Sequence, residues 1–211
     1  MKRTKCTKDE LRLKILNEAS SAFRKVGIRS VHMDNIAGSL GISKRTLYEL
    51  FKDKEQLLLE VLRFHHQEMN EYMAEVTSKA DNVLEVIFAL YKRRMRELCN
   101  LNPIFLRDLR RYPAVVEYVH ARHRETDAAA LEHFKIGVEQ GIFRGDINFQ
   151  IINQAMSMQF DMLVFSDITD IYPLADIFRE ITFLHMRGIA TPKGMEMVNS
   201  FLQSVQENHS L

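Results

Sequence analysis

MDNIAGSLGISKRTLYELF, residues 33–51, reads as two short helices joined by a tight turn. Ile36, Ala37 and Leu40 give the first helix an apolar face at helical spacing. Gly41 follows at once, where the turn needs a residue that tolerates positive φ. Ile42 can then plug the angle between the helices, and Ser43 suits the N-cap of the second. That second helix carries Leu47, Leu50 and Phe51 inward, while Ala37 is small where two helix backbones must approach closely. Lys44, Arg45, Thr46 and Tyr48 fall at its start and on its outer side, where cations and hydroxyls suit phosphates and base edges. The pattern is that of a helix-turn-helix with Lys44–Phe51 as recognition helix; a generic helical hairpin is the competing reading.

Outward from the motif, the chain reads as helix almost throughout. Thr7 or Lys8 opens a helix to about Val26, with Leu11, Ile15, Ala19, Ala22, Phe23 and Val26 as an amphipathic stripe. Gly27 ends it as a C-cap, and residues 28–32 link it to the motif. A helix across the back of the motif completes a three-helix head, since two short helices alone bury too little surface. On the other side, Asp53 can cap a helix running from Lys54 to about Thr77. Further helices are expected over 81–98, from 102 or 103 to about 111, 114–139, 149–165, from Pro173 to about 188, and 195–205, with 167–172 as a turn-like link. The expectation is an all-α chain of about ten helices: a DNA-binding head over 1–53 and a larger helical domain over 54–211.

Composition fits that division. The 211 residues suffice for a sizeable core and carry a net charge of only +1. Residues 1–54 nevertheless hold 13 Lys+Arg against 6 Asp+Glu, and residues 55–211 hold 16 against 22. A basic small unit on an acidic large one suits a DNA-reading head on a body with another task. No apolar run approaches a membrane span, and the basic start MKRTKCTKDE is followed by no apolar segment. A cytoplasmic protein with no membrane partner is therefore expected, with Cys6 and Cys99 as reduced thiols rather than a redox pair.

Catalytic signals are absent. No Gly-rich phosphate loop, HExxH or paired Cys motif occurs, and neither a metal nor any other cofactor is expected. Adjacent His65 and His66 point about 100° apart on a helix and cannot readily share a metal. His120 and His123 have chelating spacing but no further ligand nearby, so surface or pocket-lining roles fit both pairs better. The body is rich in aromatic and Met side chains: Phe88, Tyr91, Met95, Phe105, Leu109, Tyr112, Phe134, Met156, Phe160, Met162 and Phe165. Each can be core; together, flexible Met beside aromatics suits an adaptable apolar pocket. Arg93, Arg94 and Arg96 could anchor an anion or line a solvated face.

The run from Ile15 to Leu62 resembles the N-terminal domain of the TetR family of bacterial transcriptional regulators. The matching pieces are Ile15-Leu16, Ala19, Phe23, Gly27, Ile36-Ala37, Gly41-Ile42-Ser43, Thr46-Leu47-Tyr48, Phe51, Lys54-Glu55 and Leu57, about 50 residues in one register. His32 departs from the Thr or Ser frequent before the first motif helix, and Lys44-Arg45 is bulkier and more basic than usual there. The resemblance implies a homodimer on a double-stranded operator, contacted through His32, Met33, Ser43, Lys44, Arg45, Thr46, Tyr48 and Lys54, with Tyr48 and Lys54 on phosphates. It raises the pocket reading of Phe88, Tyr91, Met95, Phe105, Leu109, Tyr112, Phe134, Met156 and Phe160 as the seat of a small-molecule inducer. It also implies that the helices over 149–165 and 173–187 pair with their symmetry mates, engaging Ile152, Met162, Ile181 and Leu184. The implied function is ligand-released repression. The alternative is a ligand-independent architectural DNA binder using the same head.

Overall fold

The computed structural model describes residues 7–207; Cys6 and the basic positions Lys2, Arg3 and Lys5 lie outside the described residues. Among the described residues there are eleven helices and no strand: α1 Lys8–Val26, α2 Met33–Ser39, α3 Lys44–Leu50, α4 Lys54–Lys79, α5 Val83–Cys99, α6 Ile104–Leu109, α7 Pro113–Glu139, α8 Phe149–Phe165, α9 Ile168–Ile171, α10 Leu174–Ile189 and α11 Pro192–Glu207. The fold is all-α as expected, with Phe143 and Ala190 forming one isolated antiparallel bridge.

Local chemistry sets the helix starts. Thr7 and Glu10 form a capping box on α1, the Thr7 hydroxyl accepting from the Glu10 amide at 3.2 Å and the Glu10 carboxylate from the Thr7 amide at 2.9 Å. Asp53 accepts the Gln56 amide at 2.8 Å ahead of α4, and Asn148 the Ile151 amide at 3.2 Å at α8. Two expectations change. The supposed link 167–172 contains α9, a single turn closed by the Tyr172 amide on the Ile168 carbonyl at 3.0 Å. Its β-branched and acidic residues carry no helical period, so one turn of helix is hard to distinguish from a bend. The last helix starts at Pro192 rather than near Met195, because proline fits a first helical turn and Thr191 Oγ1 accepts the Gly194 amide at 3.1 Å.

The chain forms two compact units, residues 1–70 with 100–121 and residues 71–99 with 122–211. The chain passes from one to the other within α4, between α5 and α6, and within α7. In the first unit Ile15, Ala19 and Phe23 of α1, Ile28, Ile36, Leu47, Phe51, Leu57 and Leu58 are buried and form the core behind the helix-turn-helix. In the second, α5, α10 and α11 pack around Leu84, Tyr91, Phe183, Val198 and Phe201, with Phe134, Ile142 and Phe143 in the same cluster. Aromatic stacking ties it together: Phe88 lies 3.8 Å from Phe201, and Phe134 4.7 Å from Phe149, centroid to centroid.

Candidate nucleic-acid interface

Gly41, at φ +64°, makes the turn between α2 and α3, and the Ile42 amide returns to the Ala37 carbonyl at 3.0 Å. Ser43 caps α3: its hydroxyl accepts the Thr46 amide at 3.1 Å and bonds the Thr46 hydroxyl at 2.8 Å. Leu47 is fully buried beneath, so rotation of α3 is fixed and its outer face is defined by Lys44, Arg45 and Tyr48, all exposed. Lys44 is ion-paired with Asp34, and Arg45 with Glu49 one turn on at 2.9 Å. The Glu49 hydrogen bond and charge push the Arg45 guanidinium further up, so it is charged at any physiological pH. Exposed pairs of this kind contribute little stability, and a phosphate or base edge can take over either cation at small cost.

The remaining expected contacts separate. His32 is exposed at the N-cap of α2, where its backbone amide donates to Asn35 Oδ1 at 3.1 Å and its ring makes no capping bond. Met33 places its side chain in the head core, 7% exposed. Lys54 is half-buried, and its ammonium donates to the carbonyls of Ile28 at 3.0 Å, Val31 at 3.0 Å and Arg29 at 3.4 Å. Burial pushes its pKa down, opposed by the charge of Asp108. Asp108 of α6 is itself buried and accepts the Arg29 amide at 2.7 Å. Nothing in the sequence singles it out: it is one aspartate in a six-residue helix, 79 positions from its partner. A groove beside α1 and α2 is lined by Glu18, Ala22, Val26, Ser30, Val31, Asn35 and Ile36 and includes no pocket candidate.

The pocket candidates fall in both units. Phe105 and Leu109 are buried in the first, with Tyr112 half-buried. In the second, Tyr91 and Phe134 belong to the core cluster, with Phe88 and Met95 packed against it. Phe160 meets the edge of the His123 ring at 5.9 Å, and Met156 is exposed. The Tyr91 ring packs with those of Phe178, Phe183 and Phe201; its hydroxyl is buried with no hydrogen-bond partner among the described residues, and burial pushes its pKa up. Arg93 lies over the Tyr72 ring at 4.7 Å and pairs with Glu97, as does Arg94. Of the dimer candidates, Ile152 packs against the core cluster, Met162 and Ile181 are half-buried, and Leu184 is exposed. Exposed apolar side chains also include Ile151, Met158 and Phe165 on α8, and Ile171 and Tyr172 at α9. No helix of the described residues is long and apolar enough to cross a membrane.

Residues 15–61, which contain this whole motif, match the family described as bacterial regulatory proteins, tetR family. Over 143 residues the chain is 25% identical to the HTH-type transcriptional repressor KstR2 of Mycolicibacterium smegmatis, covering 65% of this chain and 70% of that protein. A TetR-family regulator from Agrobacterium tumefaciens has the same fold, with a TM-score of 0.69 at 18% identity over 87% of this chain and 99% of the other. So has a transcriptional regulator from Saccharomonospora viridis crystallised with choline, with a TM-score of 0.69 at 19% identity over 87% of this chain and all (100%) of that one. Residues 15–61, with their capped helix-turn-helix, thus form a regulatory domain of the tetR family, and both relative and neighbours extend the likeness of sequence and fold well beyond it.

Proposed function

We propose that the protein is a cytoplasmic, non-catalytic repressor that binds a palindromic operator as a homodimer and is released by a small-molecule inducer. The observation that carries the DNA-reading part is the pairing of a fully buried Leu47 with exposed Lys44, Arg45 and Tyr48 on a capped α3. Arg45 and Lys44 then read base edges, while Tyr48, Ser43, Thr46 and His32 lie where phosphates pass. A single recognition helix offers little area, so two-fold pairing that reads two half-sites follows from geometry. The functional boundary near residue 53 marks the end of the DNA-contacting segment, while residues 54–70 and 100–121 belong to the same compact unit.

Repression is supported by the likeness to KstR2, which is named a repressor, and ligand response by the neighbour crystallised with choline. The inducer lodges among Phe88, Tyr91, Met95 and Phe134 of the second unit, a reading supported by the unpartnered Tyr91 hydroxyl, one polar handle among aromatic side chains. α4 is shared by both units, so its disposition can be biased by ligand and by DNA alike. An inducer releases operator only by binding the DNA-incompetent state more tightly, and operator must weaken the inducer by the same factor.

Sequencing the DNA fragments retained by the purified protein identifies the operator; a palindrome with half-sites about one helical turn apart is expected. A thermal-shift screen of small molecules followed by reciprocal titration, with and without that operator, then tests release. Equal ligand affinity in both titrations removes the switch and leaves the architectural role.

A further inference from the structure

The segment from Gly27 to Val31 connects α1 to the helix-turn-helix, and it is held by groups far away in sequence. Gly27 itself lies at φ +82°, and a Cβ there would stand 2.6 Å from Ile104 Cγ2 and 3.0 Å from Asp108 Oδ2, so α6 rests directly on this segment. The Asn102 amide donates to the Arg24 carbonyl at 2.9 Å, and its side-chain amide to the Lys25 carbonyl at 3.0 Å. Residue 102 thereby satisfies carbonyls that the last turn of α1 leaves without helical partners. Next, Asp108 takes the Arg29 amide, and Lys54 takes the Ile28, Arg29 and Val31 carbonyls. Three donors on one ammonium meet three acceptors, and the facing carboxylate offsets part of the desolvation of both charges.

We propose that Asp108 and Lys54 are positioning residues that clamp the 27–31 segment, and through it the orientation of α2 and α3, with Lys54 bound to protein carbonyls rather than to a DNA phosphate. The clamp acts on DNA through the recognition helix. It therefore rests on the DNA-reading function proposed above, but its structural consequence is measurable without DNA.

Two readouts on the full-length protein test it. The first is amide hydrogen exchange in the DNA-free protein for Lys54→Met, Asp108→Asn and Asp108→Ala. Faster exchange over residues 29–36, with little change at Leu84 and Tyr91 in the other unit, is expected for Lys54→Met and Asp108→Ala. Asp108→Asn retains an acceptor oxygen for the Arg29 amide and is expected to lie between wild type and Asp108→Ala. The second is binding to the selected operator and to a scrambled duplex across a salt series. If Lys54 instead bound a phosphate, Lys54→Met would weaken binding to both duplexes alike and lower the salt slope by about one for each head. The clamp predicts an unchanged slope and a loss confined to the operator, about tenfold or more for a broken charged hydrogen bond. Lys54→Met that flattens the slope and leaves exchange over 29–36 unaltered overturns the proposal. So does Asp108→Ala with wild-type exchange there. If Asp108→Ala does not fold, Asp108→Asn and Lys54→Met decide it. If the wild-type protein selects no DNA, the DNA-reading function fails while the exchange data still judge the clamp.

Discussion

Leu184→Asp separates a subunit interface from a core position. Leu184 is 71% exposed in the single chain, so an aspartate there removes almost no buried apolar contact. The cost to folding of one chain is then the lower helix propensity of Asp against Leu, about 0.5 kcal/mol. If α10 meets its symmetry mate, the same change places two carboxylates in the interface, one from each copy. At about 3 kcal/mol for each unpaired buried charge, the dimer loses roughly 6 kcal/mol. That is about four orders of magnitude in the dimer dissociation constant. Sedimentation velocity at micromolar protein should show a monomer whose circular dichroism remains helical. Ile177→Asp is the contrast: Ile177 is buried in the core, and its replacement should unfold the second unit rather than yield a clean monomer. A Leu184→Asp protein that remains a dimer with wild-type affinity refutes the assignment of this face.

Arg45→Ala should cost roughly 1–3 kcal/mol per half-site on operator if Arg45 pairs bidentately with guanine. Binding curves against operator and scrambled duplexes check this, and equal losses on both remove its base-reading role. Gly27→Ala should destabilise the protein, because its backbone lies at φ +82° and its Cβ would press on Ile104 and Asp108. About 2 kcal/mol of strain is expected, which corresponds to a Tm lower by about 4–8 °C for a chain of this size, read by calorimetry.

The head was legible because its signals are local. Gly41, Ser43 and the Leu47–Phe51 spacing act within a few residues of where they stand, and each takes the place the spacing implied. Lys54 illustrates the limit. Its position in the first turn of α4 suggested an outward cation, yet its ammonium turns onto carbonyls 23 to 26 residues earlier. Only the tertiary fold brings those acceptors to it. Periodicity was ambiguous on α10 as well, since Leu174, Ile177 and Leu184 all read as one apolar stripe. The first two are core and the third is exposed. A hydropathy pattern marks a face that avoids water; it does not distinguish a neighbouring helix from a second subunit. The pocket candidates met the same obstacle, because aromatic residues that fill a core and those that line a cavity have identical composition.

An inducer bound in the second unit would have three covalent routes to the head, the continuous helices α4 and α7 and the short α5–α6 connection, and their mechanics differ. α4 is one continuous helix from Lys54 to Lys79, so a change of tilt at either end is carried rigidly to the other. The short connection leaves α5 at Cys99 and reaches Asn102 after three residues, at most about 10 Å of extended chain. Asn102 already holds two carbonyls at the end of α1, and α6 begins two residues later with Asp108 on Arg29. So short a tether has little slack to absorb a displacement of the C-terminal end of α5. Such a displacement strains the hydrogen bonds that position the 27–31 segment, and breaking the part-buried ones, from Asp108 to the Arg29 amide and from Lys54 to the Ile28 and Val31 carbonyls, leaves polar groups poorly satisfied. Breaking them loosens α2 and α3 without requiring any motion of α4. The two kinds of route predict different DNA-incompetent states: a rigid head at a new angle for the continuous helices α4 and α7, and a head with raised amide exchange over residues 29–36 for the α5–α6 tether. Hydrogen exchange of the inducer-bound protein distinguishes them, and unchanged protection over 29–36 on release assigns the switch to the continuous helices rather than to the tether.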